Sequence, residues 1–192
     1  PGATPPARAH RGLRGPLQLR NASAARGALD ALRQRLPVAM HDVRPGLAEV
    51  ALPGRFQMLP GRPQIILDVA HNPEAAAVLA ENLATSGFAR ETIAVLGMLR
   101  DKDIAGVVRA VAKSITRWHL TSVPGPRGTS AEALAQVVRE AGATGPIATH
   151  ENVASALRAA QSEAGESDKV VVFGSFLTVA AAMAQLGTQA DG

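Results

Sequence analysis

The residues best suited to chemistry stand in one short segment, where Asp68 and His71 follow an apolar run and precede Asn72 and Pro73. A short apolar run is typical of a buried strand, and Asn-Pro is typical of the start of a helix. Parallel α/β sheets bind ligands at the carboxyl ends of their strands. A carboxylate and an imidazole at such a point, beside a helix N-terminus that favours anions, predict a nucleotide site.

The elements that must position this segment alternate between strand and helix. Apolar periodicity predicts strands over 64–69, 92–97, 117–122, 146–149 and 169–173. It predicts helices over 73–86, 102–113, 129–142 and 151–164 between them, and 177–186 closes the chain. Strands that alternate with helices of this length indicate parallel βαβ units, so the sequence predicts an α/β fold with a doubly wound sheet.

The N-terminal part of the chain follows a different pattern. Residues 1–19 hold four Pro and three Gly and are predicted to be irregular. Apolar residues then recur at helical spacing and predict a helix over Asn21–Leu36, with Asn21 or Ser23 as its N-cap. A second helix is predicted over Val43–Val50, with Pro45 in its first turn.

Composition limits the classes of protein that this chain can belong to. Its 192 residues suit one domain plus an appendage, or two small domains. Hydrophobic residues make up 46% of the chain and aromatic residues 3%, which predicts a core of aliphatic side chains. Cysteine is absent, which excludes disulfides and thiolate metal sites. No apolar run approaches the roughly 20 residues of a membrane span, and no signal peptide is visible, so we expect a soluble cytoplasmic protein.

The positive charge is concentrated in the first part of the chain. Residues 1–57 carry nine Arg and three acidic residues, a balance of +6, against +4 for the whole chain. A basic segment can indicate nucleic-acid binding. Here the arginines are spaced rather than clustered and aromatic residues are scarce. We therefore favour a segment that normally contacts another part of a larger protein, and expect no nucleic-acid partner.

Two common phosphate-binding motifs are missing. The chain has no G-x-x-x-x-G-K-[ST] loop and no G-x-G-x-x-G after a predicted strand. An α/β domain without them does not hold a triphosphate by itself. If Asp68 and His71 contact a nucleotide, another domain is expected to hold most of it.

Five short motifs, taken together, resemble a known family. They are Leu52–Gln57 (LPGRFQ), Asp68–Pro73 (DVAHNP), Gly97–Asp103 (GMLRDKD), Gly125–Gly128 (GPRG) and Gly174–Phe176 (GSF). Their order and spacing resemble the C-terminal part of bacterial folylpolyglutamate synthase/dihydrofolate synthase, within the Mur ligase family. The resemblance covers roughly residues 20–187.

The resemblance implies a Rossmann-like, mostly parallel sheet of the Mur ligase C-terminal type, preceded by a helical remnant of a central ATPase domain. Residues 1–51 would be the tail of that domain, 52–62 a hinge, and 63–192 the C-terminal glutamate-ligase domain. ATP and Mg²⁺ would be held mainly by an upstream domain, and no metal ligand is expected in this chain. The implied partners are glutamate and dihydropteroate or folate.

The family chemistry implied is the formation of an amide bond through an acyl phosphate. Such a reaction needs cations on the transferred phosphoryl group, a dry site and a held amine. By resemblance, Arg55, His71 and Lys102 are the catalytic candidates, and Asn21, Arg55, Asp68 and His71 are the nucleotide-binding candidates. An exposed turn arginine is the alternative for Arg55, and a helix cap is the alternative for Asn21 and Asp68.

For the amino acid, the resemblance implies Lys102, Arg127 and Ser175 as binding residues. The alternatives are that Asp101 caps the next helix beside a solvated Lys102, and that Ser175 only caps the last helix. Many bacterial members have His where this chain has Leu177, and Leu has no hydrogen-bonding group.

Three other functions stay open from the sequence. The chain could belong to a muropeptide ligase of the same family, it could be a Rossmann-like binding module without chemistry, or it could bind nucleic acid. For the favoured ligase we expect a monomer, and we expect the 192 residues to be inactive alone because the phosphate loop is missing.

Overall fold

The computed structural model describes residues 16–50 and 52–187, which form parts of two compact units, Pro1–Leu52 and Pro53–Gly192. In these residues no helix is long and apolar enough to cross a membrane.

The described part of the first unit, residues 16–50 and 52, contains two helices. Helix α1 covers Pro16–Ala31, and Leu32–Leu36 continue it as hydrogen-bonded turns, with the Leu36 N–H donating to the Leu32 carbonyl at 2.8 Å. The prediction of irregular structure over 1–19 is therefore wrong for 16–19, and residues 1–15 lie outside the described residues. Asn21 and Ser23 lie inside the helix, so neither is its N-cap. Proline at the first helical position explains the earlier start.

Helix α2 covers Met40–Glu49, so it begins before the predicted Val43. The Ala39 N–H donates to the Asp42 carboxylate at 3.2 Å, which stabilises its first turn. Pro45 lies in the helix interior rather than in the first turn, and it lacks the N–H that would bond to the preceding turn. The prediction of a helix is confirmed, but the role given to Pro45 is wrong.

The second unit is built on a six-stranded sheet with the order β1-β2-β6-β3-β4-β5. Its strands are β1 (Gln57–Leu59), β2 (Gln64–Leu67), β3 (Thr92–Leu96), β4 (Arg117–Thr121), β5 (Ile147–His150) and β6 (Lys169–Phe173). Strand β1 pairs antiparallel with β2, and all other pairs are parallel. The mostly parallel α/β sheet and its five predicted strands are confirmed.

Helices cover both faces of this sheet. They are α3 (Pro73–Thr85), α4 (Ile104–Val111), α5 (Ala131–Glu140), α6 (Val153–Glu163) and α7 (Phe176–Leu186). Alternate residues of β6 divide between two cores. Val171 and Phe173 pack with α3, α4 and α5, whereas Val170 and Val172 pack with α6 and α7. This division of helices between two faces is the doubly wound arrangement.

Strand β1 is an element that the sequence did not predict. It lies inside the 52–62 segment expected to be a hinge, and Met58 pairs with Ile66 of β2. Three residues between Pro- and Gly-containing turns are too short to show periodicity. This part of the segment therefore belongs to the sheet of the second unit.

The strand order brings three loops to one edge of the sheet. Strands β2, β6 and β3 are neighbours, so Asp68, Gly174 and Gly97 follow their carboxyl ends side by side. Gly174 has φ +111°, and a Cβ atom there would lie 2.6 Å from the Gly97 carbonyl oxygen. Only glycine fits this close approach, which draws the loop after β6 against the loop after β3.

Candidate functional site

Asp68 ties the end of β2 to the turn that carries Arg55. Its half-buried carboxylate accepts hydrogen bonds from the Phe56 N–H and the Ala70 N–H, both at 2.8 Å. Burial raises the pKa of Asp68, and the two N–H groups and Arg55 act against that rise. Asn72 caps α3 through the Ala75 N–H at 2.8 Å, so the helix-cap interpretation is wrong for Asp68 and confirmed for Asn72.

The turn itself is fixed at both of its buried ends. The Gly54 carbonyl accepts from the Val69 N–H at 2.8 Å, and the Gly54 N–H donates to the Gln57 side chain at 2.9 Å. Phe56 is buried and has φ +45°, which is uncommon for a non-glycine residue. Arg55, between them, is exposed, and its guanidinium carbon lies 5.7 Å from the centre of the Phe176 ring.

His71 has a defined orientation. Its Nδ1 lies 2.8 Å from the Val69 carbonyl oxygen, which can only accept, so Nδ1 carries the proton. In the neutral ring Nε2 then holds the lone pair. The ring centre lies 6.2 Å from that of Phe176, with the planes tilted by 47°. Phe176 thus contacts two of the predicted catalytic residues.

The loops after β3 and β4 join through a bidentate ion pair. The Arg127 Nε and Nη2 donate to the two carboxylate oxygens of Asp101, at 3.2 and 2.7 Å. This hydrogen bonding lowers the pKa of Asp101 and raises that of Arg127. The Lys102 ammonium lies 3.6 Å from the same carboxylate. Arg127 is therefore engaged with Asp101, while the more distant Lys102 keeps donors for a ligand.

The cap of α4 differs from the expectation. Asp103, not Asp101, accepts from the Gly106 N–H at 2.8 Å and caps the helix. The helix-cap interpretation of Asp101 is wrong because the helix begins two residues later than predicted, at Ile104 rather than at Lys102.

Ser175 is the N-cap of α7. Its Oγ accepts from the Thr178 N–H at 3.0 Å and lies 2.8 Å from the Thr178 hydroxyl. The Thr178 hydroxyl donates its hydrogen to the Gly97 carbonyl at 2.8 Å. The Ser175 hydroxyl must therefore donate to Thr178, which leaves Ser175 one acceptor lone pair. The capping interpretation is confirmed, and a contact with glutamate stays a prediction.

A cavity of about 210 Å³ lies where these loops meet. It is lined by His71, Leu99, Lys102, Arg127, Gly174, Ser175, Phe176 and Leu177. This volume lies below the roughly 300–1,000 Å³ of sites for drug-sized ligands, and it suits a molecule of amino-acid size. The basic residue Lys102 and the imidazole-bearing His71 in this lining suit an acidic ligand, and Leu177 adds an apolar side chain.

The structure brings together most of the predicted site residues. Four of them line the cavity, and Arg55 and Asp68 lie at the turn whose arginine contacts Phe176. Asn21 lies in α1 of the first unit. In the described residues, no group of three or more His, Asp or Glu side chains is arranged to hold a metal ion.

Sequence reasoning missed two contributors to this site. The GSF motif indicates no role for its Phe176, and the sequence predicts Asp101 only as a helix cap. An acidic residue beside Lys102 and an aromatic residue at a helix start were visible signals. Neither signal identifies its partner, because Arg127 and Arg55 are far away in the sequence.

Comparisons with known proteins agree with the resemblance. Residues 54–176 match the Mur ligase glutamate ligase domain. The dihydrofolate synthase/folylpolyglutamate synthase of Escherichia coli (strain K12) is 38% identical over 178 residues, which cover 92% of this chain and 41% of that protein. The chain thus spans less than half the length of this relative.

Solved structures give the same result. Mycobacterium tuberculosis folylpolyglutamate synthase complexed with ADP and AMPPCP has a TM-score of 0.84 and 30% identity, covering 92% of this chain and 41% of that chain. A bifunctional folylpolyglutamate synthase/dihydrofolate synthase with Mn, AMPPNP and L-glutamate bound has a TM-score of 0.77 and 38% identity, with the same coverage of 92% and 41%.

Proposed function

Because the chain belongs to the Mur ligase family through its glutamate ligase domain, we propose that it is part of an ATP-dependent ligase that adds L-glutamate to dihydropteroate, to tetrahydrofolate, or to both. The observation that carries the proposal is the amino-acid-sized cavity, whose wall includes Lys102 and His71. A relative that covers 92% of this chain bears the name of both folate activities.

In the proposed reaction, a carboxylate oxygen of the pteroate or folate attacks the γ-phosphorus of ATP and ADP leaves. The glutamate amine then attacks the acyl carbon of the resulting acyl phosphate. The carbon–oxygen bond to phosphate breaks, phosphate leaves, and the amine loses a proton. Positioning and charge stabilisation are the main contributions that a protein makes to such transfers.

The turn at Arg55 is proposed to serve the nucleotide. A guanidinium group matches phosphate oxygens with paired hydrogen bonds, and Arg55 is exposed on a fixed backbone. Each carboxylate oxygen of Asp68 accepts one backbone N–H, so each keeps a lone pair for a ribose hydroxyl. His71 presents Nε2 for the ribose, the phosphates or the amine.

The loops around the cavity are proposed to serve glutamate. Lys102 would pair with a glutamate carboxylate, because the residue lines the cavity and its ammonium is as far as 3.6 Å from its ion-pair partner Asp101. Arg127 is already paired with Asp101, so it would mainly hold that carboxylate in place. Ser175 would accept from the amine with its remaining lone pair.

We propose that the rest of the enzyme lies in an ATPase part of the same protein, which would hold the triphosphate, the divalent ion and, through Asn21, the adenine. Residues 1–51 would be its tail, and 52–62 would join it to the C-terminal domain. The first unit has exposed apolar side chains of the kind that mark contact surfaces: Leu32, Leu36, Val38, Met40 and Leu47.

The test uses the intact protein that contains this chain, assayed with ATP, dihydropteroate and varied glutamate. For Lys102→Met we expect the KM for glutamate to rise about tenfold or more, because one charge-assisted hydrogen bond is lost, with little change in the KM for ATP. Lys113→Met, at an exposed lysine of a short helix after α4, is the matched control and should behave as wild type.

Other results would reject the proposal. An unchanged KM for glutamate in Lys102→Met would remove Lys102 from the glutamate site. Activity with UDP-linked muropeptides instead of dihydropteroate would establish the alternative ligase, and no ATP-dependent ligation at all would favour a binding module. The 192 residues alone should not ligate, since they contain no phosphate loop.

A further inference from the structure

Phe176 is a phenylalanine that lines the cavity and does not belong to the core. It is the first residue of α7, its side chain is 58% exposed, and it lines the cavity. Phe56 and Phe173 are buried in the core. The position of Phe176 is therefore not explained by core packing.

Those contacts are with two groups proposed to act on the nucleotide. The Arg55 guanidinium carbon lies 5.7 Å from the ring centre, within the roughly 6 Å at which a cation is attracted to an aromatic face. The His71 ring lies 6.2 Å away and tilted by 47°, within the range of favourable aromatic pairs. One ring thus contacts two side chains that come from separate loops.

The backbones on both sides of these contacts are fixed. Asp68 and Val69 bind the turn around Arg55, and the Ser175 cap fixes the start of α7. An arginine side chain is flexible by itself. An aromatic ring carried on one fixed backbone, beside an arginine carried on another, restricts the orientations that the guanidinium adopts before a ligand arrives, and preorganisation of this kind raises affinity.

We propose that Phe176 is a positioning residue, whose ring holds Arg55, and His71 on the cavity wall, in the orientation that receives the phosphates of a nucleotide. This inference rests on the proposed function for the identity of the ligand. The contact of the ring with Arg55 does not depend on it.

The kinetic test compares Phe176→Leu and Phe176→Tyr in the intact protein. Loss of the aromatic face should raise the KM for ATP about two- to fivefold, the range expected for an exposed cation–π contact, with a smaller change in kcat and in the KM for glutamate. Phe176→Tyr keeps the face and should resemble wild type. Phe88→Leu, at a phenylalanine that is 88% exposed elsewhere, is the matched control and should change nothing.

A double-mutant cycle separates positioning from a general structural effect. In an Arg55→Ala background, Phe176→Leu should raise the KM for ATP by a smaller factor than it does in the wild type, because only the contact with His71 is then left to lose. Fully additive effects, or a wild-type KM in Phe176→Leu, would overturn the proposal.

A spectroscopic arm tests the contact in the 192-residue chain without any assumption about activity. The Arg55 Nε–H resonance should carry a ring-current shift that is kept in Phe176→Tyr and lost in Phe176→Leu. If the wild-type enzyme shows no ATP-dependent ligation, the proposed function fails and this arm alone decides the positioning role. An Arg55 resonance that does not respond to Phe176→Leu would overturn it.

Discussion

The two edges of the sheet use their polar and ionisable side chains in opposite ways. At the amino edge, Asp168 and Lys169 precede and begin β6, and both are buried. At the carboxyl edge, Lys102 and His71 line an open cavity. The difference shows that a charge in this fold is structural where its neighbours satisfy it, and is available to a ligand where they do not.

The amino edge is fully engaged. The Asp168 carboxylate accepts from the Gly165 N–H at 2.8 Å, from the Glu91 N–H at 3.0 Å and from Arg90. The Arg90 hydrogen bond is the main cause that lowers the pKa of Asp168. The Lys169 ammonium donates to the Gly87 carbonyl at 2.6 Å and to Ser86 at 2.9 Å, just beyond the end of α3. These hydrogen bonds connect the start of β6 to the segment between α3 and β3.

The carboxyl edge keeps hydrogen-bonding capacity. Among the described residues, Lys102 has one ion pair, at 3.6 Å, and His71 uses Nδ1 but not Nε2 in a hydrogen bond. Proteins place binding groups on loops that a rigid scaffold holds. The amino edge of the sheet thus stabilises the fold, whereas the carboxyl edge keeps polar groups that can bind a ligand.

The largest effect that would test this contrast is expected from Asp168→Ala. The change leaves two backbone N–H groups without their charged acceptor, so we expect a loss of about 2–4 kcal/mol in the free energy of unfolding. Urea unfolding followed by the fluorescence of the buried Trp118, the single tryptophan, measures it. Arg90→Ala removes only the exposed partner and should cost much less; equal losses would mean that the ion pair, not the backbone bonds, is what stabilises this edge.

A second, smaller effect concerns a histidine pair at the far side of the sheet. The His119 Nδ1 lies 2.9 Å from the His150 Nε2, and the His119 Nε2 lies 3.3 Å from the Glu163 carboxylate. Burial is the main cause that lowers the pKa of both rings; Glu163 opposes it, while Arg117 beside His119 adds to it.

Because the folded pKa values lie below the unfolded value of 6.5, the unfolded chain binds more protons as the medium becomes acidic. The stability that the neutral pair contributes is therefore present above about pH 6.5 and is lost as the pH falls through the folded pKa values. Urea unfolding at pH 7.5 and 5.5 should show the drop, and His119→Gln/His150→Gln should reduce it. An unchanged pH dependence in the double variant would show that other groups cause it.

The smallest stability effect is expected at the available edge. Lys102→Met removes a partly exposed ion pair, so the free energy of unfolding should change by no more than about 0.5 kcal/mol, although the same change is expected to impair glutamate binding. The urea transition of the chain checks this. A loss of unfolding free energy as large as that of Asp168→Ala would mean that Lys102 stabilises the fold, and the two edges would then not differ.

The central fold could be predicted because its signals are local. A strand buried on both faces is indicated by Val170, Val171 and Val172, and the start of a helix is indicated by Asn72-Pro73. The predicted strands were confirmed within a few residues. Strand β1 was not predicted because three residues are too few to show an apolar periodicity. The start of α1 was predicted too late because Asn21 is a residue type typical of an N-cap, although it lies inside the helix.

The candidate site was predictable only in part. The motifs place His71, Lys102, Arg127 and Ser175 after strands, and the structure gathers all four at one cavity. Their hydrogen-bond partners were not predictable. Arg127 binds Asp101, 26 residues away in the sequence, and the Ser175 hydroxyl is engaged through Thr178 with Gly97, 81 residues from Thr178.

The sequence by itself determined the rhythm of strands and helices, the family, and which chemically capable residues follow the strands. Periodicity and capping act over one or two turns of chain, so they can be read directly. Only the tertiary structure decided that β6 lies between β2 and β3, that Phe176 faces Arg55 and His71, and that Asp168 and Lys169 are engaged while Lys102 is available. Those outcomes depend on which distant groups satisfy each polar atom, and that is settled only when the chain packs.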